Sequence, residues 1–315
     1  MARTGYLSVI CRELLGRAEF PREPEKDLVM DDKTQVEAYV AAGHVENVTL
    51  AAHLFHVAHC SETIHGARRV VDLGCGPARQ LVRIAEFNPG TSFVGVDLSE
   101  EMLAEGKAEI ERAGIRNVEL RKADICDLSF LGDASVDGII STMTLHHLPT
   151  VAHLARCFAE VRRVLKADGA IYLTDFCRLK SSYSTHFFSH MNEAVLPAPV
   201  IVDYEQSLKA AFHVRDFVAG LDLLPAGVRL TSTFLVPLLM IMHTPKRELP
   251  PSTVRRLQTM RDGLSGQVRQ DLDDLRMFFR MGGLAGDPFR RRFMLRDNGL
   301  DQEEASGLES QISLS

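Results

Sequence analysis

The chain has 315 residues, enough for one large domain with additions or for two modest ones. Apolar residues make up 45% and charged residues 25%, with a formal charge of −6, which excludes a global basic field of the kind that holds nucleic acid and points to a small-molecule or protein partner. Its six cysteines (Cys11, Cys60, Cys75, Cys126, Cys157 and Cys177) show no Cys-x-x-Cys spacing, which argues against a zinc knuckle or a disulfide framework and fits a reducing cytoplasm.

The N-terminal stretch MARTGYLSVICRELLGRAEF is amphipathic, but charges interrupt its apolar residues and no small-residue cleavage site follows, which argues against a secretory signal. Residues 1–65 read as a helical N-terminal cap, in which Asp31 and Asp32 open a segment with Val36, Tyr39, Val40, Val48, Leu50, Leu54 and Phe55 at helical spacing. Within it, His53, His56 and His59 invite a zinc assignment. Yet His53 and His59 stand apart around a helix and no acid has the His-Glu-x-x-His spacing, so the expectation is no metal and a packed helix with its ring edges exposed.

From Arg68 the pattern changes to short apolar runs (70–73, 92–96, 118–120, 136–140 and 170–174) separated by helical stretches near 78–86, 100–113 and 151–165. This alternation is that of βα units building a parallel sheet, and right-handed crossovers then place helices on both faces. Residues 178–211 break the alternation with Ser, His, Pro and aromatic residues and read as a substrate lid inserted in a 66–246 core. A helix near 214–223 and an antiparallel hairpin from the runs 228–233 and 234–243 follow. The longest strongly apolar run, 235–242, is far short of the roughly 20 residues that span a bilayer, so a soluble, cytoplasmic protein with no membrane partner is expected.

The 247–315 extension reads as a long helix capped by Ser252 or Thr253 and running to about Met281, then a basic turn at 290–292 and a frayed tail. Its stripe Val254, Leu257, Met260, Leu264, Val268, Leu272, Leu275 and Phe278 must be buried, either on the chain's own core or in a homodimer.

Residues 70–78, VVDLGCGPA, are an apolar strand ending in a glycine turn that opens a helix, and such glycines let backbone approach a ligand closely. Asp97 ends the next strand about 20 residues later, where a carboxylate can accept from ribose hydroxyls. A dinucleotide-binding turn wants a small residue where this chain has Arg79, which disfavours an NAD-dependent oxidoreductase. S-adenosylmethionine has no pyrophosphate to seat, so Asp72 and Gly74 can face its amino-acid end. Asp124 can accept from the adenine amino group while Ile125 packs on the ring, or else Asp124 caps a turn.

Taken together, VVDLGCGPA (70–78), FVGVDLSEEML (93–103), KADICDL (122–128), GIISTMTLHHL (138–148) and EVRRVLKADGAIYLTDF (160–176) resemble the class I S-adenosylmethionine-dependent methyltransferases, especially the UbiE and type-11 groups. The resemblance covers roughly residues 65–180. It implies a doubly wound α/β fold with a seven-stranded sheet of order 3-2-1-4-5-7-6 and strand seven antiparallel. It further implies Asp72, Gly74 and Gly76 around methionine, Asp97 on the ribose, Leu98 and Met102 beside the adenosine, Asp124 and Ile125 at the adenine, and Thr142 and Leu145 past the fourth strand.

Methyl transfer is an in-line displacement, which requires holding the nucleophile near the methyl and excluding water. His146 and His147 sit just past the fourth strand, where open α/β sheets bind ligands, and are the acid/base candidates. Tyr39, Arg178, Tyr183, His186 and His190 are candidates for a lid over the acceptor. Methylation of a small organic metabolite at oxygen, nitrogen or carbon is expected, against two alternatives: the oxidoreductase and a non-catalytic cofactor-binding regulatory subunit.

Overall fold

A computed structural model describes residues 2–18, 20–25, 50–194 and 196–289. At its centre, seven strands form one sheet in the order β3-β2-β1-β4-β5-β7-β6. They are β1 (Arg69–Leu73), β2 (Ser92–Asp97), β3 (Val118–Lys122), β4 (Val136–Thr142), β5 (Leu165–Phe176), β6 (Arg229–Ser232) and β7 (Leu239–His243). The first five run parallel, and β7 is antiparallel to both β5 and β6. This is the topology expected from the sequence.

The ten helices among the described residues are α1 (Ala2–Leu15), α2 (Leu50–Ile64), α3 (Arg79–Phe87), α4 (Glu100–Arg112), α5 (Val151–Val164), α6 (Ser182–Ser189), α7 (Ala198–Ala210), α8 (Val214–Gly220), α9 (Pro251–Gly263) and α10 (Gly266–Met281). Local chemistry sets their starts: the side chains of Ser99, Thr150 and Ser181 accept from Met102 N, His153 N and Ser184 N, capping α4, α5 and α6.

The sheet is buried on both faces, as a parallel sheet must be. On one face, Val70, Ile140, Tyr172 and Ile241 pack against α2, α3 and the C-terminal helices. On the other, Val71, Leu73, Val96, Ile139, Ile171 and Leu173 pack with Leu154, Phe158 and Val161 of α5 and Phe217 of α8. A smaller cluster of Val9, Leu179, Phe188, Leu208 and Val236 joins α1 to α6 and α7.

Two expectations are corrected. The C-terminal stripe is carried by two helices rather than one, because Leu264 takes an extended backbone (φ −66°, ψ 147°) between Gly263 and the Ser265-Gly266 pair, and glycine is a poor residue for helix interiors. Pro250 occupies the α9 cap position, with Ser252 and Thr253 inside the first turn. The stripe folds back on the chain's own core, where Leu257, Val268 and Leu272 are buried and Phe279 stacks on Phe55 with ring centroids 5.2 Å apart.

That covering corrects the second expectation, since His56 and His59 are each only 2% exposed rather than edge-out. His56 Nδ1 meets the Tyr172 hydroxyl at 2.8 Å, and burial drives its pKa down to about 3. His59 Nδ1 lies 2.6 Å from Lys246 Nζ and 3.3 Å from Glu62. The histidines have separate partners and converge on no common point. Residues 26–49, with Tyr39, and 290–315, with the basic turn and tail, lie outside the described residues. No described helix is long and apolar enough to cross a membrane.

Candidate active site

The carboxyl ends of β1, β2, β4 and β5 meet along one edge of the sheet. At the tip of β1 the chain passes through left-handed conformations at Gly74 (φ +69°), Gly76 (φ +51°) and Ala78 (φ +55°) before α3 begins. Gly74 N and Cys75 N both donate to Val96 O, at 2.8 and 2.9 Å, which ties this turn to the end of β2. A Cβ at Gly74 would stand 2.0 Å from Thr144 Cγ2, and Thr144 Oγ1 donates to Gly74 O at 2.9 Å. At Gly76 a Cβ would point into open space, so this glycine leaves room rather than avoiding a clash.

Asp97 holds the turn from the neighbouring strand: one carboxylate oxygen accepts from Gly76 N and the other from Ser99 N, both at 2.9 Å. Asp72 is buried at the end of β1, and its Oδ1 has no hydrogen-bond partner. Burial, and then the charge of Asp97, push the Asp72 pKa up to about 7. A buried carboxyl without a partner is costly, and a cationic group beside it would remove that cost.

The remaining residues proposed to hold the cofactor line the same edge. Met102 and Ile125 are buried (6% and 7% exposed), whereas Leu98 and Thr142 are half-buried. Asp124 Oδ1 accepts from Cys126 N at 2.8 Å, so one of its oxygens already serves the turn. Leu145 is 0% exposed, packed in the same layer as Leu73 and Val96, and presents no surface to a ligand in this conformation. Beside it the backbone of Met143 is held at φ +54°, a strained value for a side-chain-bearing residue.

His146 and His147 occupy a 3₁₀ turn, Leu145–His147, after β4. Asp175, fully buried near the end of β5, accepts from His146 N at 3.0 Å and pairs with His146 Nδ1 at 2.7 Å. A carboxylate only accepts, so Nδ1 donates in this bond, and the tautomer it fixes carries its lone pair on Nε2. That Nε2 lies 4.0 Å from Glu25 Oε1. Glu25 in turn meets His147 Nδ1 at 2.5 Å and accepts from Ser207 of α7 at 2.9 Å.

Burial lowers the His147 pKa, but its hydrogen bond to Glu25 and the charges of Glu25, Asp175 and Asp203 outweigh that and raise it. Burial likewise raises the Glu25 pKa, and the bond to His147 and the histidine charges outweigh it, so the carboxyl is held below its usual range. Arg22 clamps this assembly, donating to the carbonyls of Leu148 (2.6 Å), His146 (2.8 Å), Pro149 (2.5 Å) and Ala210 (2.5 Å) while its guanidinium lies 3.9 Å over the Phe212 ring.

The structure thus brings His146 and His147 together with groups that the sequence reading missed. Asp175 had a signal, an acid ending a strand as Asp97 does. Glu25 and Arg22 had none, being more than 120 residues from their partners in the chain. Of the candidate lid residues, Tyr183, His186 and His190 lie on α6 or at its end: His186 and His190 sit together against Glu205, and Tyr183 is 39% exposed under the Arg12 guanidinium, while Arg178 N bonds Phe212 O and its Nε is buried without a partner.

Residues 64–212, just under half of the chain, match the family described as a methyltransferase domain. The malonyl-acyl-carrier-protein O-methyltransferase of Geobacter sulfurreducens is 32% identical over 120 residues, 36% of this chain and 43% of that protein. The demethylmenaquinone methyltransferase of Listeria welshimeri is 33% identical over 107 residues, 34% of this chain and 44% of that one. The matched stretches span between 28% and 50% of the length of the curated relatives. Among solved structures, an O-methyltransferase family protein from Burkholderia thailandensis shares the fold, with a TM-score of 0.51 at 17% identity over 69% of this chain and 61% of that one. These matches weigh against the dinucleotide reading: residues 64–212 are similar to methyltransferase domains.

Proposed function

We propose that this protein transfers a methyl group from S-adenosylmethionine to a small organic acceptor, at oxygen, nitrogen or carbon. The observation that carries the cofactor half is the pair of carboxyls at the tips of adjacent strands, Asp72 with an unpartnered buried oxygen and Asp97 clasping the Gly76 turn. The donor set fits the group. Asp97 keeps lone pairs for ribose hydroxyls, Gly76 leaves open space at the turn, and the Asp72 carboxyl, ionised beside a cation, suits the α-ammonium of the ligand's methionine end. Met102, Leu98 and Ile125 offer apolar surface to the adenosine, Asp124 has a carboxylate beside it, and Thr142 borders the methyl-donor end. When bound, the sulfonium supplies an activated methyl group for in-line displacement.

The chain's own residues supply positioning and proton handling. Asp175 fixes the His146 ring so that Nε2 is available to take a proton from an acceptor, a role whose efficiency depends on geometry first. Glu25 and His147 border that nitrogen and fix the polarity of the space in front of it. Helices α6 and α7, with α1 packed on them, exclude water from this side. The relatives named above act on small or carrier-bound metabolites by their names, which supports an acceptor of that class here.

Calorimetry with S-adenosylhomocysteine tests the reading directly. Saturable binding is expected, weakened on the order of 10- to 100-fold in Asp97→Ala by the loss of charge-assisted hydrogen bonds, with the fold retained. Unchanged affinity in that variant refutes the ribose role, and no binding to the wild-type chain refutes the function.

A further inference from the structure

The lid carries a second cluster of chemistry-bearing side chains outside the site described above. His186 and His190 are four residues apart at the end of α6, with ring centroids 3.8 Å apart. Glu205, on α7, directs one carboxylate oxygen at both: Oε2 lies 3.9 Å from His186 Nδ1 and 4.0 Å from His190 Nδ1. Neither approach is a hydrogen bond. The other oxygen, Oε1, is held at 2.8 Å by Lys209 Nζ.

Histidine–glutamate approaches elsewhere in this molecule run from 2.5 Å (His147–Glu25) to 4.0 Å (His146–Glu25), and His190 Nδ1 already meets Ser189 Oγ at 2.8 Å. Here two imidazoles stand beside one carboxylate oxygen and neither closes on it. One ring nitrogen from each histidine and a carboxylate oxygen all lie within 4.8 Å of one another, a triangle that a central ion can draw in by small side-chain rotations. Residues four apart share one helix face, the spacing by which a helical histidine pair offers two ligands to one metal.

The surroundings support the same reading. Lys209 Nζ, 2.8 Å from Oε1, orients the Glu205 carboxylate from behind as outer partners orient metal ligands. His190 Nδ1 is also within 3.0 Å of the His186 carbonyl, a bond that fixes this ring and leaves Nε2 as a donor to an ion.

We propose that His186, His190 and Glu205 bind a divalent transition metal that pins α6 to α7. Two imidazoles and one carboxylate suit zinc, nickel or copper rather than magnesium or calcium, which prefer all-oxygen shells. The half-exposed setting leaves the remaining coordination positions to water. The consequence reaches the neighbouring site through α7, because that helix also carries Ser207, whose hydroxyl holds Glu25 beside His146. Metal occupancy thereby sets how firmly the lid is closed.

The test uses the full chain, stripped with a chelator and titrated with zinc by calorimetry and with cobalt by visible absorption. Saturable uptake is expected, with a raised melting temperature, and affinity at least about tenfold weaker in the His186→Ala/His190→Ala double variant and in Glu205→Gln. His147→Ala, which breaks the other histidine cluster, is expected to keep the wild-type metal affinity. Absence of saturable zinc uptake by the wild-type chain, equal uptake by the double variant, or loss of uptake in His147→Ala instead would each overturn the proposal. None of these readouts depends on methyl transfer, so they stand apart from the cofactor reading.

Discussion

Replacing Gly74 with alanine tests the cofactor turn without knowledge of the acceptor. Two costs are worked from the geometry. The backbone at φ +69° strains any residue with a Cβ, by about 1–2 kcal/mol. The new methyl would also meet Thr144 Cγ2 at 2.0 Å and Oγ1 at 2.5 Å, and overpacking of this kind costs about 1–3 kcal/mol. Gly74→Ala is therefore expected to lower the unfolding free energy by about 2–5 kcal/mol, short of abolishing a typical fold. Thr144→Ala removes the two nearest colliding atoms and keeps Cβ at 2.8 Å, so the double variant should relieve most of the collision and retain the backbone strain. Its coupling energy, read from four chemical-denaturation curves, is expected to be about 1–3 kcal/mol with the two changes less harmful together than their sum. Additive losses, or a Gly74→Ala protein as stable as wild type, would refute the account of why this position is glycine.

Other outcomes follow from the same geometry. The folded pKa of Asp72, about 7, lies above its ordinary value, so the apo protein loses stability as pH rises from about 4 to 7, by up to about 4 kcal/mol before relaxation, and is level above that. Asp72→Asn should flatten that slope in denaturation curves, and cofactor binding to the wild type should release a proton near pH 6.5, detectable by calorimetry in buffers of different ionisation enthalpy. Asp175→Asn replaces an acceptor-only partner by an amide that can donate, so long-range proton–nitrogen spectra should show His146 shifting away from the Nδ1-protonated tautomer; an unchanged tautomer contradicts the orienting role. Arg22→Leu leaves the carbonyls of His146, Leu148, Pro149 and Ala210 without their shared donor, and amide exchange in residues 145–148 should accelerate at least about tenfold, since a lost hydrogen bond to a charged group is worth about 1.5–3 kcal/mol.

The sheet was legible because each βα unit leaves a local mark, an apolar run and then a helical period, and the order of the glycine turn, Asp97 and Asp124 follows chain order. Arg79, opening α3, was informative for the same local reason. What was hidden depends on packing between distant segments. Burial of His56 and His59 comes from α10, whose Phe279 lies more than 200 residues away from Phe55. The break at Leu264 had its cue in Gly263 and Gly266, but the three- and four-residue apolar steps run across it and mask it. The acceptor-side group is half legible: the histidine pair and Asp175 end consecutive strands of the sheet, whereas Glu25 and Arg22 arrive from a segment with no motif.

Arg22 makes the short strip at 20–25 a shared fastener, gripping the loop after β4 and the end of α7 at once. A graft that replaces the insertion at 178–211, read from sequence as a lid, would sever that grip unless the strip travels with it. Recombination that separates residues 20–25 from that insertion is expected to yield folded cores in which the loop after β4 is no longer tied to α7.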